Sequence, residues 1–237
     1  MKIKATSAKK KVFFIAMACV LVLTSVVGLY FGITKRNSPL TLSETFISYV
    51  IDIDNPSEVA GFADYVFVGR VEKRHNAKYE DIAIRWIDKG PRIVGWPYTN
   101  YDVTVLENLK GSLKRNETVS VLKDGGISPD RQYLILAEGD FMPEEGDVCA
   151  FFVSAKQDGT LSISGKNGNI KIAKSSLTEK AVQKMSSEQM RQATQNELEE
   201  IKGSSVYQTM AVACENEIPF ERERHTVPME LLETLIQ

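Results

Sequence analysis

Histidine is nearly absent from this chain of 237 residues, which has two, His75 and His225. Neither stands in a spacing such as H-E-x-x-H, which would aim two imidazoles at one metal. Cysteine is scarce as well, and no C-x-x-C occurs among the three. The G-x-S-x-G elbow of hydrolases and the phosphate-binding P-loop are both missing. Asp52-Ile53-Asp54-Asn55 opens like a calcium loop, but Ser57 stands where such a loop needs glycine. Ala63 stands where it needs a bidentate glutamate, so Asp52 and Asp54 read as turn carboxylates. These absences leave no metal and no cofactor to expect. Catalysis stays open, with a non-catalytic role favoured. Internal repeats and low-complexity segments are missing too.

Acidic residues are missing from residues 1–36, which hold seven of the 29 basic residues. The remaining 201 residues carry 22 basic against 31 acidic side chains, a net charge of −9. That balance makes the body of the chain a poor partner for nucleic acid or an anionic surface.

Charge of either sign is missing from Val12–Thr34, 23 consecutive residues. As a helix rising ~1.5 Å per residue the run reaches about 34 Å, enough to cross a hydrocarbon core about 30 Å thick. Lys2, Lys4, Lys9, Lys10 and Lys11 precede it, and Lys35 and Arg36 follow. The basic excess keeps the N-terminus cytoplasmic and sends the rest of the chain to the extracytoplasmic side. A cleaved signal peptide is the alternative. It fits less well, because the apolar core is long and no small-x-small site ends it. The expected organisation is a cytoplasmic segment 1–11, a transmembrane signal-anchor helix 12–34, a β-barrel domain 40–174 and a helical region 175–237. Cys149 and Cys214 lie in apolar surroundings and read as buried thiols, with a disulfide as the alternative.

Asn55-Pro56-Ser57-Glu58 starts a short helix running to about Phe62, with Asn55 as cap and Pro56 in the first turn. From Asp64 the pattern turns to period two. Strands are expected over Asp64–Glu72, Asp81–Ile87, Tyr98–Leu109, Thr118–Leu122, Gln132–Ala137 and Val148–Ser154. Gly69 marks a bend within the first of these. Asp158-Gly159 and Asn167-Gly168 each predict a tight hairpin, closing the series with Leu161–Ser164 and Ile170–Ile172. Short strands spaced by turns argue for a mainly β fold built on a small antiparallel barrel. After Lys174 the period becomes helical. Ser176–Glu179 is a capping box, and a second helix begins near Ser187 and stops at Gly203. A last short helix follows Thr226 and Pro228. Val206–Ala213 is apolar and has no readable period.

Ala63-Asp64-Tyr65-Val66-Phe67-Val68-Gly69-Arg70-Val71 matches Ala-Asp-x-Val-x-x-Gly-x-Val, and Lys110-Gly111, Gly125-Gly126 and the two later turns follow in order. Over about residues 60–173 the chain thus resembles a group of uncharacterised single-pass extracytoplasmic bacterial proteins. It is also similar to the OB-like barrel in its netrin and metalloproteinase-inhibitor form. The resemblance implies a barrel and no activity. Metalloproteinase inhibitors act through a free N-terminal cysteine, and Cys149 and Cys214 are internal.

Residues 72–100 hold six basic residues, four acidic ones and both tryptophans of the chain. Aromatic and arginine side chains carry binding energy at contact surfaces, so Trp86, Trp96, Tyr98, Arg85 and Arg92 are the candidate partner-binding residues. The competing reading is a barrel strand prolonged by Ile82, Ile84 and Trp86, with Trp96 covering the barrel end. The expected role is a binding or interaction module at the cell surface, meeting a protein or glycan partner. An envelope enzyme without a recognisable motif, and a structural subunit of a membrane complex, are the alternatives.

Overall fold

The computed structural model describes residues 39–87, 90–177 and 184–227. The expected membrane helix 12–34, the cytoplasmic segment, the body of the helix after Ser176 and the last short helix lie outside these residues. Among the described residues no helix is long and apolar enough to cross a membrane.

Strand β1 (Thr41–Thr45) leads through an irregular segment to helix α1 (Pro56–Phe62), and strands β2 (Tyr65–Arg74), β3 (Lys78–Ile87) and β4 (Gly90–Lys110) follow. Next come β5 (Thr118–Asp124), β6 (Gly126–Ile127), β7 (Tyr133–Ala137), β8 (Asp147–Ala155), β9 (Leu161–Ile163) and β10 (Asn169–Lys174). Helices α2 (Ser187–Gly203) and α3 (Ser205–Glu215) complete the order among the described residues.

The sheet β2-β4-β5-β9-β8 closes on itself, because β8 pairs with both β9 and β2. This is a small five-stranded barrel consistent with an OB-like fold. The expectation of an antiparallel barrel is corrected at one seam, since β5 and β9 run parallel where the barrel closes. The register slips between Val68 and Gly69, the bend that Gly69 predicted. There is no room for a side chain there, since a Cβ would lie 2.4 Å from the Val103 side chain. Asp158-Gly159 does form the β8–β9 hairpin. Asn167-Gly168 does not form a second one. Asn167 takes a positive φ of 65°, but β10 returns to pair with β8 rather than β9. A small second sheet, β1-β7-β6, joins the N-terminal strand to the segment between β5 and β8.

Alternation along β2 and β8 sorts the apolar residues into two cores. Phe67, Val71, Cys149, Phe151 and Val153 fill the barrel with Tyr101, Val103, Val121 and Ile163, and Phe67 stacks on Phe151 at 5.3 Å. Val66, Ala150 and Phe152 face outward against α1 and the Met210–Ala213 face of α3, while Val68 and Val148 meet Ile201 of α2. β8 is therefore buried along almost its full length, which its near-continuous apolar run requires. Neither cysteine is in a disulfide. Burial pushes the Cys149 thiol up to about 12 and the Cys214 thiol to about 11.

The segment Glu221–His225, whose charges suggest a solvated connector, is instead a clamp. Arg222 donates to the Phe62 carbonyl and reaches Asp64 at 2.7 Å, and Arg224 donates to the Gly61 and Ala63 carbonyls and pairs with the other Asp64 oxygen. Two guanidinium groups thus satisfy the carbonyls left open at the C-terminal end of α1 and neutralise a buried aspartate. Val227 N–H donates to the Tyr65 hydroxyl further along.

Candidate functional site

Where β5 ends, alternation splits Lys123 from Asp124. Lys123 points into the barrel and is fully buried. Asp124 turns outward to line a cavity of about 530 Å³. The turn residues after it are glycines, Gly125 and Gly126, both at positive φ, and Gly125 packs so closely on Leu136 that a Cβ would meet it at 2.8 Å.

The cavity lies between the end of the barrel and the segment 46–54. Ile47, Val50, Ile51 and Ile53 form one wall, Phe62 and Phe152 the opposite one, and Ser154, Ser162, Ser164 and Lys156 a polar side. Tyr49 holds the segment in place, its hydroxyl accepting from Lys166 N–H at 3.1 Å. Gly165, at φ +69°, is what lets the ring approach, since a Cβ there would lie 2.0 Å from the Tyr49 oxygen. Asn167 Nδ2 donates to the Ile53 carbonyl, closing the other end. Arg222 also lines the cavity, but its guanidinium is committed to Phe62, Ser154 and Asp64.

Burial raises the Asp124 carboxyl above the usual aspartate range, opposed by a hydrogen bond from Ser164 and the charges of Lys156 and Lys123. Burial also raises the Tyr49 phenol. Asp124 is the one carboxylate among the described residues lining this cavity. The arrangement offers a single hydrogen-bond acceptor of negative charge at the side of an apolar space. Paired carboxylates working as acid and base are not presented here. No group of histidine, cysteine and carboxylate side chains able to hold a metal occurs among the described residues.

The five sequence-predicted contact residues are not brought together. Trp86 stands opposite Pro91 near the outer end of the β3–β4 hairpin and is 81% exposed. Trp96 stands opposite Glu80 and is half-buried, some five residues and roughly 17 Å along β4. Arg85 pairs with Arg92 across the hairpin, but the Arg92 side chain is drawn to Asp130 at 2.5 Å and over the Tyr133 ring. Tyr98 is opposite Asp124 in the β4–β5 ladder, with Lys156 over its ring, and burial followed by the Asp124 charge pushes its phenol up to about 12. Tyr98 alone of the five therefore neighbours Asp124, and none of the five lines the cavity.

Asp124, Tyr49, Ser164 and Arg222 carry no motif. Asp124-Gly125-Gly126 reads as a turn, and Tyr49 belongs to a stretch whose period is ambiguous. A carboxylate ending a strand just before two glycines was the one available signal. No protein-family model matches the chain, and a search of the curated proteins finds no match.

Proposed function

We propose that the protein is a non-catalytic binding module held at the cell membrane by residues 12–34, its N-terminus cytoplasmic and its barrel extracytoplasmic. The ligand site in this reading is the cavity under segment 46–54, and the ligand is a small amphiphile whose polar end is an amine or hydroxyl. One observation carries it: an apolar space of about 530 Å³ with one carboxylate, Asp124, raised by burial. A cavity with apolar walls and a few convergent polar groups is the ordinary form of a small-molecule site. A hydrogen-bond donor placed at Asp124 restores the ionised state that burial opposes.

The enzyme alternative needs a second acid, and none lines this cavity among the described residues. The complex-subunit alternative needs an apolar patch on residues 177–201 or 229–236. Met190 is the sole large hydrophobic exposed among the described residues of the first stretch, and the second stretch lies outside the described residues. Kinship with the extracytoplasmic group of single-pass proteins belongs to the same reading.

The test places an environment-sensitive fluorophore on Ile51→Cys in the full chain in lipid nanodiscs and titrates octylamine. A saturable emission shift is expected, absent when the label is on Glu200→Cys, and weakened about tenfold by Asp124→Asn. An emission change that never saturates, or one indifferent to Asp124→Asn, overturns the reading.

A further inference from the structure

β4 is 21 residues long, and its two halves have different surroundings. From Tyr98 onward it is a barrel strand, paired with β5 and then β2. Before Tyr98 its ladder partner is β3, and β3 has no other among the described residues. The two form an arm beyond the barrel. Every residue of β3 from Glu80 to Ile87 is exposed, whereas Arg92, Val94 and Trp96 on β4 are partly covered, Arg92 by Asp130 and Tyr133.

Ile82 is 62% exposed, Ile84 69%, Trp86 81% and Ile93 48%. The ladder places these on one face, because Ile84 is opposite Ile93, Trp86 is opposite Pro91, and Ile82 packs near Gly95. A two-stranded ribbon is marginal by itself, and this one presents its apolar face and the free edge of β3 together. Edge strands are usually blunted by charge or bulges. Here a bulge does occur at Asp81 and Ile82, with Asp81 at a φ of 51°, but it lies toward the base and the pairing is regular from Ala83 to Ile87.

The charges on that edge identify what it fits. Glu80 and Asp81 lie toward the base and Arg85 toward the tip, with Ala83 between. Because of the bulge, Glu80, Ala83 and Arg85 share the face opposite Ile82, Ile84 and Trp86. Two copies of β3 laid antiparallel about Ala83 bring each Arg85 opposite the other chain's Glu80–Asp81. The same placement brings each Ile84 against the other chain's Ile82. Small Ala83 sits on the two-fold axis, where the backbones approach most closely. The pattern is complementary to itself, as a symmetric interface demands.

We infer that β3 is a dimerisation edge, two copies of the chain joining their arms into a four-stranded sheet across a two-fold axis at Ala83. This stands independently of the cavity. A foreign strand or a lipid surface on the same face would not require the charge pattern to match itself, and so is separable by experiment.

The test is oxidative cross-linking of Ala83→Cys in the full chain, in membranes, on a Cys19→Ser background. A cross-link between identical positions forms where the axis places them, and Glu200→Cys is the control that should not cross-link. Arg85→Glu sets like charges opposite each other on both sides of the axis and should lower the cross-linked fraction about tenfold. Adding Glu80→Lys to Arg85→Glu restores complementarity and should restore the cross-link. Absence of cross-linking at Ala83→Cys, or cross-linking unchanged by Arg85→Glu, overturns the inference. Circular dichroism of each variant separates loss of pairing from loss of fold, and the exposed arm touches neither core.

Discussion

Lys123 Nζ lies 2.7 Å from Asp140 Oδ2 and 2.7 Å from Asn169 Oδ1, and the lysine and aspartate side chains are 0% and 1% exposed. Burial lowers the lysine's pKa, and the Asp140 charge opposes that. The pair ties the loop after β7 to the inside of the barrel. Removing one partner leaves a buried charge alone, so Lys123→Ala should cost about 3–5 kcal/mol in urea unfolding. The double variant Lys123→Met with Asp140→Asn buries no charge and should cost less than either single change. A double variant as unstable as the two singles combined would show that the pair's worth is not electrostatic.

Asp64 is the hinge of the C-terminal clamp. It accepts from Ala155 N–H as well as from Arg222 and Arg224, and its side chain is 5% exposed. Asp64→Ala should lose about 3 kcal/mol, since three donors lose their acceptor. Gly61→Ala should do similar damage by another route. A Cβ there would lie 1.8 Å from the Ile218 carbonyl oxygen, so the strap would have to leave the helix. Melting temperatures of the two variants measure both effects, and an unchanged value for either would remove the clamp from the account.

Asp147 makes the acid limb of stability predictable. Burial raises its carboxyl, but hydrogen bonds from Lys171, the Glu144 amide and Lys174 outweigh this and hold it below the usual aspartate range. A folded value that is depressed gives stability present above the unfolded value of about 4 and lost as pH falls through the folded one. Asp147→Asn should therefore be less stable at neutral pH and show a shallower loss below about pH 4. Parallel acid dependence in the two proteins would assign the acid limb to other carboxylates.

The tryptophans should respond unequally to acrylamide. Trp86 is 81% exposed and Trp96 half-buried, so quenching should be biphasic, and Trp86→Phe should remove the readily quenched part. If β3 edges pair, dilution to the monomer should increase quenching of Trp86. Uniform shielding of both rings would contradict the exposed arm.

The barrel was legible in sequence where local rules act alone. Period-two stretches rich in β-branched and aromatic residues marked β2 and β5, the apolar run Val148–Ser154 marked β8, Asn55 and Pro56 started α1, and the helix expected from near Ser187 is α2. Legibility ended where a partner distant in sequence decides. Asn167-Gly168 looked like a hairpin, yet the chain returned to β8, which β9 pairs only at Ser154 and Ala155 and whose stretch Asp147–Phe151 β10 takes up. The acid–base run Glu221–His225 looked solvated, and its arginines are held by Asp64 some 160 residues earlier. α3 has no readable period because it packs against α1 on one side and the barrel on the other. The candidate cavity was invisible for the same reason. Tyr49, Asp124, Ser164 and Phe62 come from four separate segments, and no spacing relates them. Tyr98 was singled out for its ring and did prove to adjoin Asp124.

The central claim is that residues 12–34 display the barrel, with its cavity, on the far side of a membrane. Labelling of Glu200→Cys, an exposed α2 position, by a membrane-impermeant maleimide in intact cells tests it most directly, on a Cys19→Ser background. Cys149 and Cys214 contribute little, because their thiols are held protonated by burial. The account predicts labelling of whole cells equal to that of lysed ones. Labelling that appears only after lysis would place the barrel in the cytoplasm and contradict it.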